Sequence, residues 1–247
     1  MITGCANKDI SPRSKESNHN RRGIFAAVMI MLLAAAPAIG QVVISGKSSA
    51  LDFGEVGMDF KVFTTFHLVN KSSNPVRVKS INVPCSCSSV AISDSTLKPG
   101  DSSAVRLMFD TKNMYGKTIR SFTIFTSDPA TPKLEYSYYS VVGQWLFGIR
   151  PNPTSLFFLP TMKTKTLSFP NEAVDHMTLK VLDQADTTYT IKVLNDKAVK
   201  GGRADLEISP KEGLKPGTYL SSFRVEVSLS GQRDPFLISV PVKIVRY

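Results

Sequence analysis

Apolar and polar residues alternate with period two over much of this chain. Val105, Leu107 and Phe109 fall on one face of a run whose other face carries Ala104, Arg106 and Met108. Phe122 and Ile124 alternate in the same way with Ser121, Thr123 and Phe125. A single apolar face at this period predicts a half-buried strand packed on a second sheet. Such strands are predicted over 51–53, 61–69, 76–83, 88–92, 103–109, 117–126 and 134–142. A second set follows over 154–158, 177–182, 188–194, 203–208, 219–229 and 236–245. Turn residues punctuate them, as in Asn70-Lys71-Ser72-Ser73-Asn74-Pro75, Asn113-Met114-Tyr115-Gly116 and Ser127-Asp128-Pro129. Glycine supplies positive φ there, proline pre-sets φ, and Asn or Asp bond nearby backbone. Residues 171–177 hold a short turn of helix at most. Leu97-Lys98-Pro99-Gly100-Asp101 is echoed by Leu214-Lys215-Pro216-Gly217-Thr218, which suggests an internal repeat. The expected fold is therefore all-β: two tandem immunoglobulin-like β-sandwiches behind an N-terminal segment.

That segment is an export signal in layout. Arg21 and Arg22 precede an apolar run over 24–39, and small residues close it. Ala38 and Gly40 suit the small positions before a cleavage site, which places the cut between Gly40 and Gln41. An uncleaved N-terminal membrane anchor is the alternative. The polar stretch Met1 to Asn20 reads as an extension upstream of the true start, and Ile2-Thr3-Gly4-Cys5 lacks the apolar lead of a lipoprotein box. The expected organisation is residues 1–40 as signal peptide with polar extension, 41–148 as the first sandwich and 149–247 as the second, joined through Arg150-Pro151-Asn152-Pro153. The expected location is periplasmic or secreted, with no integral membrane span after cleavage.

The formal net charge of +10 falls to +7 without residues 1–40, which hold five basic and two acidic residues. Lys and Arg are scattered along the strands rather than clustered. Nucleic-acid binding, which needs a basic face, is not expected.

One set of short motifs points to a family. Leu51-Asp52-Phe53-Gly54-Glu55-Val56, Phe66-x-Leu68-x-Asn70, Pro75-Val76, Cys85-x-Cys87, Leu97-x-Pro99-Gly100, Phe109-Asp110-Thr111 and Gly116 occur in order. Over about residues 44–145 this resembles a bacterial immunoglobulin-like domain family of unknown function. It is distantly similar to sandwiches of the Hydin and major-sperm-protein type. The family's pattern usually reads Cys-Gly-Cys-Thr, where this chain has Cys85-Ser86-Cys87-Ser88. The resemblance implies an exported sandwich module and no established activity.

Cys85 and Cys87 are the one pattern that could carry chemistry, and three readings stay open. A disulfide is favoured by an oxidising compartment. Residues two apart in an extended strand lie about 6.5–7 Å apart at Cα, the limit for a disulfide, so closure needs a turn or bulge at Ser86. Two thiolates on one strand face could instead hold Zn²⁺ or Cu(I), but His67 and His176 are poor further ligands. The third reading is two small semi-buried residues at a sandwich rim.

No nucleophile elbow, phosphate-binding glycine loop or His-Glu-x-x-His occurs. The carboxylate pairs Asp52/Glu55 and Asp183/Asp186 sit near predicted turns and are expected to be solvated. Trp145, Phe147, Phe157 and Phe158 bracket the linker and are expected to serve packing and domain docking. The terminal Val240 to Tyr247 reads as a last sandwich strand rather than a membrane-barrel strand.

The expected function is a non-enzymatic binding or structural module of the bacterial cell envelope, working through loops or strand edges on another envelope protein. No cofactor is expected. The alternative is a redox-active or metal-handling role for Cys85 and Cys87. The sequence leaves the oligomeric state open.

Overall fold

The computed structural model describes residues 42–45, 51–182 and 187–247. The expected cleavage site at Gly40 and Gln41, the signal segment and Asp183/Asp186 lie outside them. The first half contains β1 (Val42–Ser45), β2 (Asp52–Val56), β3 (Lys61–Asn70), β4 (Val76–Asn82), β5 (Ser88–Ile92), β6 (Thr96–Leu97), β7 (Ser102–Asp110), β8 (Gly116–Thr126) and β9 (Lys133–Val142). The second contains β10 (Leu156–Phe158), β11 (Lys165–Asn171), β12 (His176–Val181), β13 (Tyr189–Asn195), β14 (Lys197–Val199), β15 (Gly202–Pro210), β16 (Gly217–Leu229) and β17 (Phe236–Arg246). The fold is all-β, and no α-helix occurs among the described residues.

Three sheets make two sandwiches of two layers each. In the first half β1-β3-β7-β5 packs on β2-β9-β8-β4-β6, and in the second β11-β15-β13 packs on β14-β12-β16-β17. The two larger layers are continuous, because β17 pairs with β2 at Ile238 and Glu55. Each half has its own apolar core. Phe53, Phe66, Phe109, Phe122 and Tyr138 dominate the first. Phe158, Phe169, Tyr189 and Phe223 dominate the second. The predicted alternation holds: Val105, Leu107, Phe109, Phe122 and Ile124 are buried while Arg106 and Ser121 are exposed.

The repeat is real but is not the one suggested by the Lys-Pro-Gly echo. Asn70 ends β3, and its side-chain amide donates to Asn74 O (2.8 Å) and Leu97 O (2.9 Å), while Oδ1 accepts from Ser72 N. Asn171 ends β11 and donates to Val174 O (2.8 Å) and Ala198 O (3.0 Å), while Oδ1 accepts from Val174 N. Gly100 N donates to Asn70 O, and Gly201 N donates to Asn171 O. One spacing of 101 positions relates Asn70 to Asn171, Leu97 to Ala198, Gly100 to Gly201 and Gly116 to Gly217. Leu214 to Gly217 therefore corresponds to the turn before β8, not to the turn before β7. Each asparagine ties a long strand to a short one across the sandwich rim by donating to a buried carbonyl of the short strand, Leu97 O or Ala198 O.

The short stretch 172–175 between β11 and β12 forms a bend held by the Asn171 side chain. Strand β11 lies outside the predicted set; Leu167 and Phe169 alternate into the core although Pro170 falls within the strand. Pro170 is tolerated because β11 is an edge strand, where a missing N–H leaves no ladder partner unpaired. The bare edge is further covered by a bridge between Asn152 and Ser168. In the first half β1 covers the same edge of β3.

Two predictions test this architecture. Asn70→Ala and Asn171→Ala should each lower unfolding free energy by about 1–3 kcal/mol, because each removes the side-chain donor to one buried carbonyl, Leu97 O or Ala198 O, and urea titration reads the loss. Truncation after Gly148 should leave a first half that melts cooperatively, at a lower midpoint than the whole chain. Each core is built from its own half, and a truncate without a transition would refute its autonomy.

Candidate functional site

Three places merit functional scrutiny: the seam between the halves, a groove beside it, and the cysteine turn. The seam is set by a glycine. Gly54 adopts φ +63°, and a Cβ there would lie 2.0 Å from Leu237 O. Only glycine admits that backbone approach. Asp52 Oδ1 holds this irregularity within β2 by accepting from Gly54 N at 2.7 Å. Side chains from the second half then bind the backbone of the first. Ser239 Oγ donates to Phe53 O, and Arg224 donates to Asp52 O at 3.2 Å. Ser222 Oγ accepts from Phe63 N at 2.7 Å and donates to Phe63 O at 3.0 Å. Arg106 returns the contact by donating to Leu220 O and lying 4.4 Å from the Phe63 ring centre.

Glu55 contradicts the expectation of a solvated pair. It is 3% exposed because β17 and the segment after β9 cover it. Oε1 accepts from Leu146 N at 3.0 Å, and Oε2 has no hydrogen-bond partner among the described residues. Burial pushes the carboxyl up to about 7 against an ordinary 4.5, and the Leu146 N–H opposes part of that rise. Burial also raises Asp52, against the Gly54 N–H and the Arg224 charge.

The groove has a volume of about 450 Å³ and lies between the halves. Phe60, Leu156, Phe157, Leu220, Pro241 and Val242 supply an apolar surface, with Lys61, Lys112, Lys243, Asp59 and Asp110 at its margin. Phe157 and Leu220 are 42% and 40% exposed. Lys61 pairs loosely with Asp110 at 3.9 Å, and Lys243 Nζ lies 5.3 Å from the Phe157 ring centre. Thr111 shapes the first-half wall: its buried hydroxyl accepts from Phe60 N and contacts Gly57 O and Phe60 O at 3.0 Å. The aromatic residues thus divide. Trp145 packs on the second core, Phe147 meets Phe236 at 4.4 Å, Phe158 is buried, and Phe157 faces the groove.

The structure joins Cys85 to Cys87 by a disulfide with Cα atoms 5.1 Å apart. The chain departs from an extended path there, through a turn closed by Ser88 N donating to Cys85 O at 3.2 Å. Ser86 is not among the positive-φ residues, so the turn does not require glycine at this position. Both cysteines are half-buried. Cys87 packs on the first core, and its sulfur lies 3.5 Å from Ser88 Oγ. Ser88 Oγ is in turn hydrogen-bonded to the buried Tyr138 OH. His67 is exposed, and among the described residues no group of three His, Cys, Asp or Glu could hold a metal. Sequence reasoning did not single out Ser88, Tyr138 or the groove, because each is assembled across strands far apart in sequence.

Residues 44–137 match a family described as a protein of unknown function, DUF1573. No curated protein matches. Among solved structures the chain is similar to a protein of unknown function from Porphyromonas gingivalis W83, at 13% identity over 82% of this chain and 99% of that one, TM-score 0.29. It is similar to WR4, a C. elegans MSP family member, at 15% identity over 40% and 97% respectively, TM-score 0.31. The VesB protease of Vibrio cholerae is 16% identical over 42% of this chain, TM-score 0.33, and the match spans 32% of the protease. Several of the motif residues have structural roles here: Asp52 and Gly54 at the seam, Asn70 and Gly100 at the rim, and Thr111 behind the groove wall. Among the described residues no helix is long and apolar enough to cross a membrane.

Glu55 generates a prediction. The folded carboxyl keeps its proton to about 7, while the unfolded one releases it near 4.5. The folded state therefore binds more protons in that window, and stability falls as pH rises through it. Glu55→Gln should flatten that fall and raise stability at pH 8 by about 1–3 kcal/mol, as read from urea unfolding across the pH range.

Proposed function

We propose that this chain is an exported, non-enzymatic binding module of the bacterial envelope, periplasmic or secreted. Its groove between the two sandwiches takes an extended, acidic and apolar segment of another envelope protein. The observation that carries this reading is the groove itself, an open surface with Phe157 and Leu220 exposed and Lys112 and Lys243 at its margin. Exposed aromatic and aliphatic groups ringed by charge mark interaction sites rather than solvated surface. The lysines match an acidic partner, and the positive balance of the chain would speed its approach. The signal-like layout of residues 1–40 supports export.

The test is peptide binding by fluorescence anisotropy, with a panel of extended peptides that vary in acidic and apolar content. Acidic, apolar peptides should bind best, and added salt should weaken them. Phe157→Ala should reduce affinity by about tenfold or more, as expected of an aromatic anchor worth at least about 2 kcal/mol. Lys243→Glu should reverse the charge preference. A panel that binds equally well to the Phe157→Ala protein would rule out the groove.

A further inference from the structure

The geometry points to a second activity, independent of the groove: the Cys85–Cys87 disulfide is an exchangeable oxidant for protein dithiols, with Ser88 and Tyr138 holding the leaving thiolate. Three observations converge. First, the ring spans a single intervening residue, so the bond removes little chain entropy from the unfolded state and adds little to stability. Second, the architecture does not require it. Under the repeat that relates the two asparagines, Thr188 stands at the counterpart of Cys87 and Tyr189 at that of Ser88. The second sandwich thus enters β13 without a cystine. Third, the two sulfurs differ. Cys87 packs on the apolar core, and its Sγ is within 3.5 Å of Ser88 Oγ. Cys85 takes no part in that core, and its Sγ accepts only the Cys87 N–H at 3.2 Å among the hydrogen bonds described.

That asymmetry gives the direction of exchange. A client thiolate attacks Cys85 Sγ, a client–Cys85 disulfide forms, the Cys85–Cys87 bond breaks, and its electron pair leaves on Cys87 Sγ. The Ser88 hydroxyl donates to this thiolate, and the Tyr138 hydroxyl donates to Ser88 Oγ. Tyr138 keeps its own proton, since burial raises its phenol further than the Ser88 bond and the Arg120 charge lower it. The client's second thiolate then attacks the client sulfur of the mixed disulfide and releases Cys85 as thiolate. The client dithiol is oxidised to a disulfide by two electrons, the cystine is reduced to two thiols, and the two client protons end on Cys85 and Cys87. Stabilising the leaving thiolate speeds exchange, because the thiol of lower pKa departs faster.

The test uses the full folded chain, with reduced glutathione and dithiothreitol as thiol probes. Glutathione, trapped by acid quench and located by peptide mass spectrometry, should sit on Cys85. Dithiothreitol should reduce the bond while far-UV circular dichroism remains native. Ser88→Ala should slow that reduction by about tenfold, the order expected for losing a hydrogen bond to a charged sulfur. In the Cys85→Ser protein the Cys87 thiolate, followed by its ultraviolet absorbance, should titrate at higher pH when Tyr138→Phe is added, a shift that a merely structural tyrosine would not cause. Glutathione on Cys87, or a bond that dithiothreitol cannot reduce without unfolding, would overturn the proposal, and neither readout depends on a variant that must fold.

Discussion

The structure rests on one close approach, the backbone of Gly54 against the backbone of Leu237. Any side chain at position 54 would collide with a carbonyl oxygen, so the chain can join its two larger sheet layers only through a residue without a Cβ. Once β2 lies there, it serves both halves. It pairs with β9 in the first and meets β17 of the second. The rest of the seam follows. β16 and β17 have cores on one side and the first half on the other, so their alternation gives way to continuous burial over Ser221–Val225 and Leu237–Val242. The residues that face the seam are Ser222, Arg224 and Ser239, whose hydrogen bonds satisfy backbone groups of β2 and β3. Buried backbone groups need such partners. Two serine hydroxyls and the Arg224 guanidinium meet that need at the seam.

The asparagine struts show how one solution is used twice. The pair at Asn70 and Asn171 fixes the same relation between a long strand, a short strand and a glycine turn. The surroundings differ where the halves differ in duty. β1 covers the edge of β3, while Asn152 and Pro170 blunt the edge of β11. An edge left open invites uncontrolled strand addition. The edges of β3 and β11 are covered in this way, each by a different segment.

Much of the architecture was legible in the alternation itself. Strands such as β5, β7 and β8 follow directly from residues like Val105, Leu107 and Phe109, because a half-buried strand writes its burial into every second position. β11 was hidden by Pro170, and the short β6 and β14 have too few residues for a period. The repeat was misread because Lys-Pro-Gly is common turn chemistry, while the informative pair, Asn70 and Asn171, consists of single residues whose partners lie 27 positions on. The cysteine pair was visible at once. Its surroundings were not, since Tyr138 reaches Ser88 from 50 positions away. The burial of Glu55 was equally illegible: a carboxylate beside Gly54 reads as a turn residue until a distant strand covers it.

Glu55 is the place where the local rules and the fold disagree. Burying a carboxyl with one oxygen unpartnered costs free energy, and the protein meets that cost by holding the proton to about 7. Its one hydrogen bond goes to Leu146 N, in the segment that leads from β9 into the second half. The residue therefore couples the path of the linker to the state of a titrating group inside the seam. When the carboxyl ionises, the bond to Leu146 strengthens, but the second oxygen carries charge into an apolar setting. The two effects oppose each other, and the raised value shows that desolvation wins. A glutamine would keep the bond and remove the charge, so stability alone does not explain a glutamate at this position. This group therefore favours the folded state on the acid side of neutrality, and that contribution is lost as the carboxyl ionises.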